Sequence, residues 1–341
     1  MQAIAEVSGL DDEEIRRSVL KAGRPVVMRG LVANWPAVTR ARESTQSIVS
    51  YLRRLDNGGL VDALMAPPDA GGRMFYSPSM EGFNFMRNRV TLSSILEQVL
   101  RYAAFQRPPA VAAQSALVRD CLPGFGEENQ LRVLGGTVLP RIWMGNAVTT
   151  PTHLDEWCNI ACVVCGRRRF TLFPPEQVGN LYIGPLDFAP TGAPLSLVDV
   201  RDPDLVRFPK FRDAMAMMQR AELEPGDAIY IPPLWWHHVE SLATLNVLIN
   251  YWWPAMARTS AMTDPAFGAL LHGILNIRDL PVATREAWRA LFEHYVFGEP
   301  EAANAHIPAF RRGMLAPLTP ESAATLRAHL RSLIDRADLV G

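Results

Sequence analysis

Lysine, cysteine and long apolar runs are scarce in this chain of 341 residues. Lysine occurs at Lys21 and Lys210 alone, so nearly all of the 34 basic residues are arginines. The 35 acidic residues almost cancel them, so no overall field directs the protein to nucleic acid or to an acidic membrane. We attribute the arginine excess to coding bias, although arginine also suits planar carboxylate recognition.

The few cysteines and the lack of targeting signals limit the cellular compartments in which we expect this protein. Four cysteines do not make a disulfide framework in a chain of this length. The first ten residues have no positively charged region of the signal-peptide type. No apolar run approaches the ~18 residues of a membrane span. We therefore expect a soluble, cytoplasmic protein with no membrane partner.

Short β-rich segments dominate the chain after Pro108 and Pro109. They are divided by Gly and Pro turns, a pattern typical of a sandwich or barrel. The predicted strands are Arg132–Leu134, Pro140–Met144, His153–Val164, Arg167–Phe173, Ala228–Pro232, His237–Ser241 and Leu245–Trp253. Residues 181–221 interrupt them as an insertion. The sequence thus predicts a mainly β core, preceded by α/β elements and followed by helices.

One run of residues carries metal-binding chemistry. His153 and Asp155 are two positions apart, so in a strand their side chains share a face. They supply two legs of a 2-His-1-carboxylate triad, which leaves coordination positions open on Fe(II). The third ligand must come from elsewhere, and among seven histidines the pair His237-His238 stands out. An isolated His-x-Asp is a weak signal, and a histidine in an aromatic strand also fits a core position.

The wider pattern resembles a known family. His153-x-Asp155 with Pro232-x-x-Trp235-Trp236-His237 resembles the cupin-like JmjC-domain oxygenases, in particular the branch with the asparaginyl hydroxylase of hypoxia-inducible factor. The similarity runs over residues 140–253 and is weaker in residues 24–35. It includes Phe173-Pro174-Pro175, Phe208-Pro209-Lys210-Phe211, Pro225-Gly226-Asp227 and Asn250-Tyr251-Trp252.

The resemblance implies a double-stranded β-helix that uses Fe(II), O2 and 2-oxoglutarate. It makes His153, Asp155 and His237 the metal ligands, His237 being preferred because the family's ligand directly follows the tryptophan pair. Thr150, Asn159 and Asn250 match family positions that contact 2-oxoglutarate or lie near the metal. Strand alternation supports Asn159, since residues 153, 155, 157 and 159 share one face of a continuous strand.

Two positions depart from the family pattern. Arg168 stands where the family has a lysine that binds the distal carboxylate of 2-oxoglutarate. An arginine that points inward there requires an anion, because a buried guanidinium without one is costly; a register slip by one residue would instead expose it. The family tyrosine that helps hold 2-oxoglutarate has no counterpart near residues 112–115, where the residues are small.

A second motif points to a different metal chemistry. Cys158, Cys162 and Cys165 have the CxxxCxxC spacing of radical-SAM enzymes, which hold an iron–sulfur cluster, and a zinc site with His153 is a further option. A cluster needs a loop, however, and the residues between these cysteines are typical of a strand. Buried cysteine also packs as a small apolar residue.

We therefore predict an Fe(II)- and 2-oxoglutarate-dependent dioxygenase that hydroxylates a protein side chain or a small molecule. A cupin-type metal enzyme without 2-oxoglutarate and a non-catalytic binding module remain as alternatives. The catalytic domain is expected over residues 1–255, with its β-helix core at about 130–255. The helical region 256–341 is expected to form a homodimer through Trp288, Leu291, Phe292 and Tyr295, which recur at helical spacing, or to pack on the barrel.

Overall fold

The computed structural model describes residues 2–190, 192–255 and 266–337. The chain divides after Ala255 into two compact units. The first unit carries all strands of the described residues, and the second is helical.

The strands of the first unit form two sheets. In chain order they are β1 (Gln2–Ala3), β2 (Ala5–Ser8), β3 (Val26–Arg29), β4 (Val61–Ala66), β5 (Met86–Val90), β6 (Ala110–Leu117), β7 (Pro140–Gly145), β8 (Thr149–His153), β9 (Cys158–Cys165), β10 (Arg168–Phe173), β11 (Gln219–Leu223), β12 (Ala228–Ile231), β13 (Trp236–Ser241) and β14 (Asn246–Trp253). The five-stranded sheet has the order β1-β11-β10-β13-β8. The nine-stranded sheet has the order β2-β3-β12-β9-β14-β7-β6-β4-β5.

Alternate residues of both sheets build the interior of this unit. Ala161 and Val163 of β9 cluster with Phe170 and Leu172 of β10 and with Val239 of β13. Because side chains alternate across a strand, these residues mark the faces that the two sheets turn toward each other. The two facing sheets, with α/β elements before them and helices after them, confirm the predicted fold class.

Helices cover the outer face of the nine-stranded sheet. The helices of the first unit are α1 (Asp12–Glu14), α2 (Pro36–Glu43), α3 (Thr45–Leu55), α4 (Leu92–Tyr102), α5 (Val118–Cys121), α6 (Phe125–Glu128) and α7 (Phe211–Met217), of which α7 packs instead on the five-stranded sheet. Apolar residues of α2, α3 and α4 pack in one cluster with the outward residues of β9 and β14, among them Cys162 and Ile249. This layer explains why β9 is buried along its whole length.

The insertion covers the other side of the five-stranded sheet. Phe173 and Trp236, which face away from the interior, pack with Leu181, Val198 and Phe211. The helices and the insertion therefore cover much of the outer faces of the two-sheet core, and a pocket lies in the interior between the sheets.

Three details of the strand prediction are wrong. Residues Arg132–Leu134 form a turn of 3-10 helix that ends at Gly135, whose positive φ favours glycine. The predicted strand His153–Val164 is two strands, β8 and β9, which belong to different sheets. The nine-stranded sheet also includes strands β2, β4, β5 and β6, from residues before 130, which the apolar pattern did not identify.

The second unit contains four α-helices in its described part. They are α8 (Phe267–Asn276), α9 (Val282–Phe292), α10 (Pro300–Asn304) and α11 (Pro320–Ala337). The predicted dimerisation residues lie on α9 and just after it, and Trp288 and Tyr295 are exposed. Across the described helices, none combines the length and apolar character needed to cross a lipid bilayer.

Candidate metal and cosubstrate site

A bulge in β8 aims two of the predicted site residues at the interior. His153 pairs with His237 of β13, whereas Thr150 pairs with Val239, so two residues of β8 lie opposite one of β13. Without the bulge, residues three positions apart would point to opposite faces. Pro151 lies in the bulge, and β8 is an edge strand, which are the positions where a sheet tolerates proline.

Backbone carbonyls orient both histidine rings. His153 Nδ1 lies 2.8 Å from the carbonyl oxygen of Pro151, and His237 Nδ1 lies 3.0 Å from that of Trp235. A carbonyl oxygen accepts hydrogen bonds and does not donate, so each Nδ1 carries the proton. The lone pair is therefore on Nε2 of each ring, as a metal ligand requires.

Asp155 completes a group of three metal-binding side chains. One ligand atom from each of His153, Asp155 and His237 lies within 4.8 Å of the others. His237 Nε2 is 3.6 Å from Asp155 Oδ2, and the two imidazole centroids are 4.2 Å apart. Burial and the neighbouring His153 lower the pKa of His237, so its ring is neutral. Among the described residues, this is the group found with metal-ligand spacing.

The loop after β8 is held in place by two contacts to Asp155. The indole N–H of Trp252 donates to Asp155 Oδ2 at 3.1 Å, and the backbone N–H of Leu234 donates to the Asp155 carbonyl at 2.8 Å. Asp155 thus lies beyond the end of β8, and its position depends on these contacts rather than on strand alternation.

Asn159 reaches the pocket by a different route from the one predicted. The chain leaves β8 after His153 and enters β9 at Cys158, in the other sheet. Trp157, expected on the same inward face, is 47% exposed. The continuous strand is therefore wrong, although Asn159 does line the pocket, from the opposite sheet. The reason is that residues 154–157 form the crossing between two sheets.

Arg168 points inward, as its strand register predicts. It is 6% exposed, and its Nε is enclosed with no hydrogen-bond partner. Burial lowers its pKa to about 10, and no acidic side chain of the described residues forms a salt bridge with it. Its neighbour Arg169 faces outward instead and pairs with Glu222 and Glu240.

All seven predicted site residues line one pocket between the sheets. Its polar lining consists of Thr150, His153, Asp155, Asn159, Arg168, His237 and Asn250, and its other residues are Trp143, Ala161, Phe170, Ile231, Val239, Leu248 and Trp252. No tyrosine is among them, so the family tyrosine is absent from the described lining. Gln114 and Ser115, near its aligned position, line a separate groove.

Sequence reasoning did not find Trp143 and Trp252. Trp143 donates its indole N–H to Asn250 Oδ1 at 2.9 Å, and Trp252 contacts Asp155. Trp252 could have been found from strand alternation, because it lies two residues after Asn250 on β14. Trp143 lies on β7, and its place beside β14 is a tertiary pairing that the pattern does not encode.

The three cysteines of the CxxxCxxC motif lie in a different apolar cluster from the one around the pocket. Cys158, Cys162 and Cys165 are free and belong to the apolar cluster between the nine-stranded sheet and the helices. Burial raises the pKa of Cys165 to about 11, so the thiol form dominates. These features are those of packed cysteines and give no support to the cluster or zinc alternative.

The residues present fit both Fe(II) and 2-oxoglutarate. Two imidazoles and one carboxylate form a donor set that suits Fe(II) and leaves positions open. The enclosed, unpaired guanidinium of Arg168 in the same pocket requires an anion. A dicarboxylate that reaches from the triad to Arg168 satisfies both requirements.

Comparison with known proteins gives a family model and several relatives that match this chain. The family model that describes a cupin-like domain matches residues 12–259 of this chain. HSPB1-associated protein 1 of Homo sapiens is 36% identical over 149 residues, which are 43% of this chain and 30% of that protein. Lysine-specific demethylase JMJ30 of Arabidopsis thaliana is 30% identical over 266 residues, covering 74% of this chain and 55% of that protein.

A further relative completes the comparison. Lysine-specific demethylase 8 of Danio rerio is 28% identical over 253 residues, or 71% of this chain and 56% of that protein. The chain thus spans between about a third and just over half of the curated relatives it matches. The match over residues 12–259, together with the fold and the triad, shows that the chain belongs to the cupin-like JmjC family, whose cofactors are Fe(II) and 2-oxoglutarate.

Proposed function

We propose that this protein is an Fe(II)- and 2-oxoglutarate-dependent dioxygenase that hydroxylates a side chain of a protein substrate. The observation that carries the proposal is the presence, in one pocket, of the His153, Asp155 and His237 group and of the unpaired Arg168. A metal-binding group alone fits many enzymes, whereas the buried cation beside it requires an anionic cosubstrate.

The roles of the residues follow from their chemistry. His153, Asp155 and His237 would hold Fe(II), and Arg168 with the Thr150 hydroxyl would bind the distal carboxylate of 2-oxoglutarate. When bound, these cofactors would use O2 as the oxidant, so that one oxygen atom enters a substrate C–H bond and the other enters the succinate that forms from 2-oxoglutarate with release of CO2. Asn159 and Asn250 provide polar contacts near the metal.

The apolar part of the lining has its own function in this proposal. Phe170, Ile231, Val239 and Leu248 surround the polar groups. They limit the access of bulk water, which strengthens each ionic contact within the pocket. The protein therefore contributes position and a dry environment, and the cofactors contribute the oxidation.

The proposed substrate class rests on relatives. Two of them are named lysine-specific demethylases, which act on a protein side chain. The narrower likeness to the asparaginyl-hydroxylase branch, which we base on the Trp235-Trp236-His237 and Asn250-Tyr251-Trp252 motifs, places asparagine among the side chains to be tried. A small-molecule substrate is the alternative outcome of the same assay.

Coupled measurements of oxygen uptake and succinate formation test the proposal. We expect both with the Fe(II)-loaded protein, and a visible charge-transfer band when 2-oxoglutarate is added without oxygen. Iron binding without the band or succinate would instead indicate a cupin-type metal enzyme. Failure to bind iron would indicate a non-catalytic module. Mass spectrometry of peptide libraries then distinguishes a gain of oxygen from the loss of a methyl group.

We further propose that residues 1–255 are the catalytic domain, with the β-helix core at about 130–255 and the insertion at 181–221, and that the helical region 256–341 forms a homodimer. The exposed Trp288 and Leu291 of α9 and the nearby Tyr295 support this second part. Light scattering after size-exclusion chromatography is expected to give twice the chain mass. A monomer at micromolar concentration would contradict it.

A further inference from the structure

Two asparagine side chains in the pocket are joined in one hydrogen-bonded chain. Trp143 Nε1 lies 2.9 Å from Asn250 Oδ1, and Asn250 Nδ2 lies 3.2 Å from Asn159 Oδ1. Asn159 and Asn250 are both buried. These two hydrogen bonds connect β7, β14 and β9, which are neighbouring strands of the nine-stranded sheet.

The direction of these hydrogen bonds follows from one donor, the indole N–H of Trp143. An indole N–H donates and cannot accept, so the atom of Asn250 that faces Trp143 must be the carbonyl oxygen. The amide nitrogen of Asn250 then faces Asn159, and the atom of Asn159 that receives it must be Oδ1. Without the indole, the two amides could turn together and keep the hydrogen bond between them, because the oxygen and nitrogen of an amide occupy similar positions.

The last group in this series of hydrogen bonds is the side-chain amide of Asn159. Asn159 Nδ2 makes no hydrogen bond to the described residues and belongs to a side chain that lines the pocket. Its two N–H donors are therefore available to a bound ligand. Beside Arg168, which also only donates, this makes the pocket a set of donors suited to carboxylate oxygens.

We propose that Trp143 is a positioning residue that fixes the orientation of Asn250 and Asn159, so that Asn159 presents N–H groups to the cosubstrate. This inference rests on the proposed function, because it assigns the anion to 2-oxoglutarate. Trp143 acts through two side chains and is not itself required to touch the ligand. Its effect is on cosubstrate affinity and not on the metal.

The test compares three tryptophan variants of the full chain loaded with Mn(II). Trp143→Phe removes the indole donor and keeps an aromatic ring. Trp252→Phe removes the contact to Asp155. Trp253→Phe is the matched control, since Trp253 is the next residue on β14 and stacks on Tyr230, away from the pocket. Calorimetry measures the binding of Mn(II) to the metal-free protein and then of 2-oxoglutarate to the Mn(II) form, and kinetics of the Fe(II) form measure KM for 2-oxoglutarate and kcat.

We expect Trp143→Phe to bind 2-oxoglutarate about three- to tenfold more weakly, with KM rising in proportion, because a misoriented amide faces the carboxylate. Its Mn(II) affinity and the behaviour of Trp253→Phe are expected to stay within about twofold of the parent. An unchanged affinity for 2-oxoglutarate overturns the proposal. An equal loss of Mn(II) affinity also overturns it, because that is the result of a general packing defect.

A second readout separates this proposal from the proposed function. NMR spectra of asparagine-labelled protein without 2-oxoglutarate give the side-chain amide signals of Asn250 and Asn159. Each signal is assigned by its loss in Asn250→Ser or Asn159→Ser. Trp143→Phe is expected to shift both signals. A shift confined to Asn250 overturns the orientation argument. If the parent fails to bind 2-oxoglutarate while both signals shift, the proposed function fails and the role of Trp143 in orienting the amides stands.

Discussion

The two faces of strand β10 treat arginine in opposite ways. Arg168 faces the interior, is almost completely buried and has an enclosed Nε without a partner. Arg169, one residue later, faces outward and pairs with Glu222 at 2.7 Å and Glu240 at 3.3 Å. The same residue type is thus fully partnered on one face and unpartnered on the other.

This difference distinguishes groups that serve stability from groups that await a ligand. A native protein rarely leaves a buried polar atom unpaired, because the lost solvation is expensive. Arg169 needs nothing beyond the protein to be satisfied. Arg168 lowers the stability of the free protein, and we expect the ligand to compensate for that cost.

The largest effect is expected on metal affinity and turnover, when a residue of the metal-binding group is replaced. Asp155→Ala removes the carboxylate of the triad, so we expect metal affinity to fall by more than ~100-fold and succinate formation to stop. Titration with Mn(II) and a succinate assay measure these changes. Glu222→Ala, on the outer face, is the control and should leave both unchanged; turnover by Asp155→Ala would remove Asp155 from the ligand set.

A large effect of opposite sign on stability and on binding is expected at Arg168. Arg168→Met should abolish detectable 2-oxoglutarate binding, a loss of about 100-fold or more. The same variant should be more stable without ligand, by up to ~3 kcal/mol, because it removes a buried unpaired charge. Calorimetry and urea unfolding measure the two quantities. A variant that loses both stability and binding would show that Arg168 is structural.

The pH dependence sharpens the same comparison. Burial lowers the pKa of Arg168 to about 10 from 12.5, so the folded protein loses this proton before the unfolded chain does. The destabilisation is therefore complete below pH 10 and decreases as the pH rises above it. We expect the stability gain of Arg168→Met to be constant between roughly pH 6 and pH 9. A gain that varies across this range would implicate another group.

A smaller effect is expected at Trp252. Trp252→Phe removes the hydrogen bond to Asp155 and keeps an aromatic ring, so metal affinity should fall about tenfold, as for other groups that orient a metal ligand. The affinity for 2-oxoglutarate measured at saturating Mn(II) should change little. Equal Mn(II) affinity in the variant and the parent would show that Leu234 and the loop suffice to hold Asp155.

The smallest effect is expected on the outer face. Arg169→Met breaks partly exposed ion pairs with Glu222 and Glu240, which contribute ~1 kcal/mol or less. Urea unfolding is expected to show this small loss, and 2-oxoglutarate binding is expected to be unchanged. A binding defect as large as that of Arg168→Met would break the distinction between the two faces of β10.

Strand periodicity explains why much of the pocket could be predicted. Arg168 lies inward because it shares a face with Phe170 and Leu172, which is a local property. The choice of His237 over His238 came from the family resemblance, in which the ligand directly follows the tryptophan pair. The fold class followed from the closely spaced short strands. Each of these predictions needed no knowledge of which strand lies beside which.

The remaining features depend on pairing between distant segments. The break after His153 sends the chain to the other sheet, so Asn159 is correctly placed for a reason that the sequence did not contain. Strand β4 pairs with β6, and β6 pairs with β7, through contacts between distant segments, and the apolar pattern did not identify β4 as a strand. Trp143 meets Asn250 only because β7 lies beside β14.

The bulge in β8 has a consequence for how this site can change by insertion or deletion. Thr150 and His153 both point inward because one extra residue lies between them opposite β13. Deleting Thr152 would restore a regular ladder, in which Thr150 and the histidine are two positions apart and still share the inward face. The loss of one codon at the bulge therefore leaves the metal and cosubstrate contacts on the same face of the strand, and substitution at the bulge preserves the spacing.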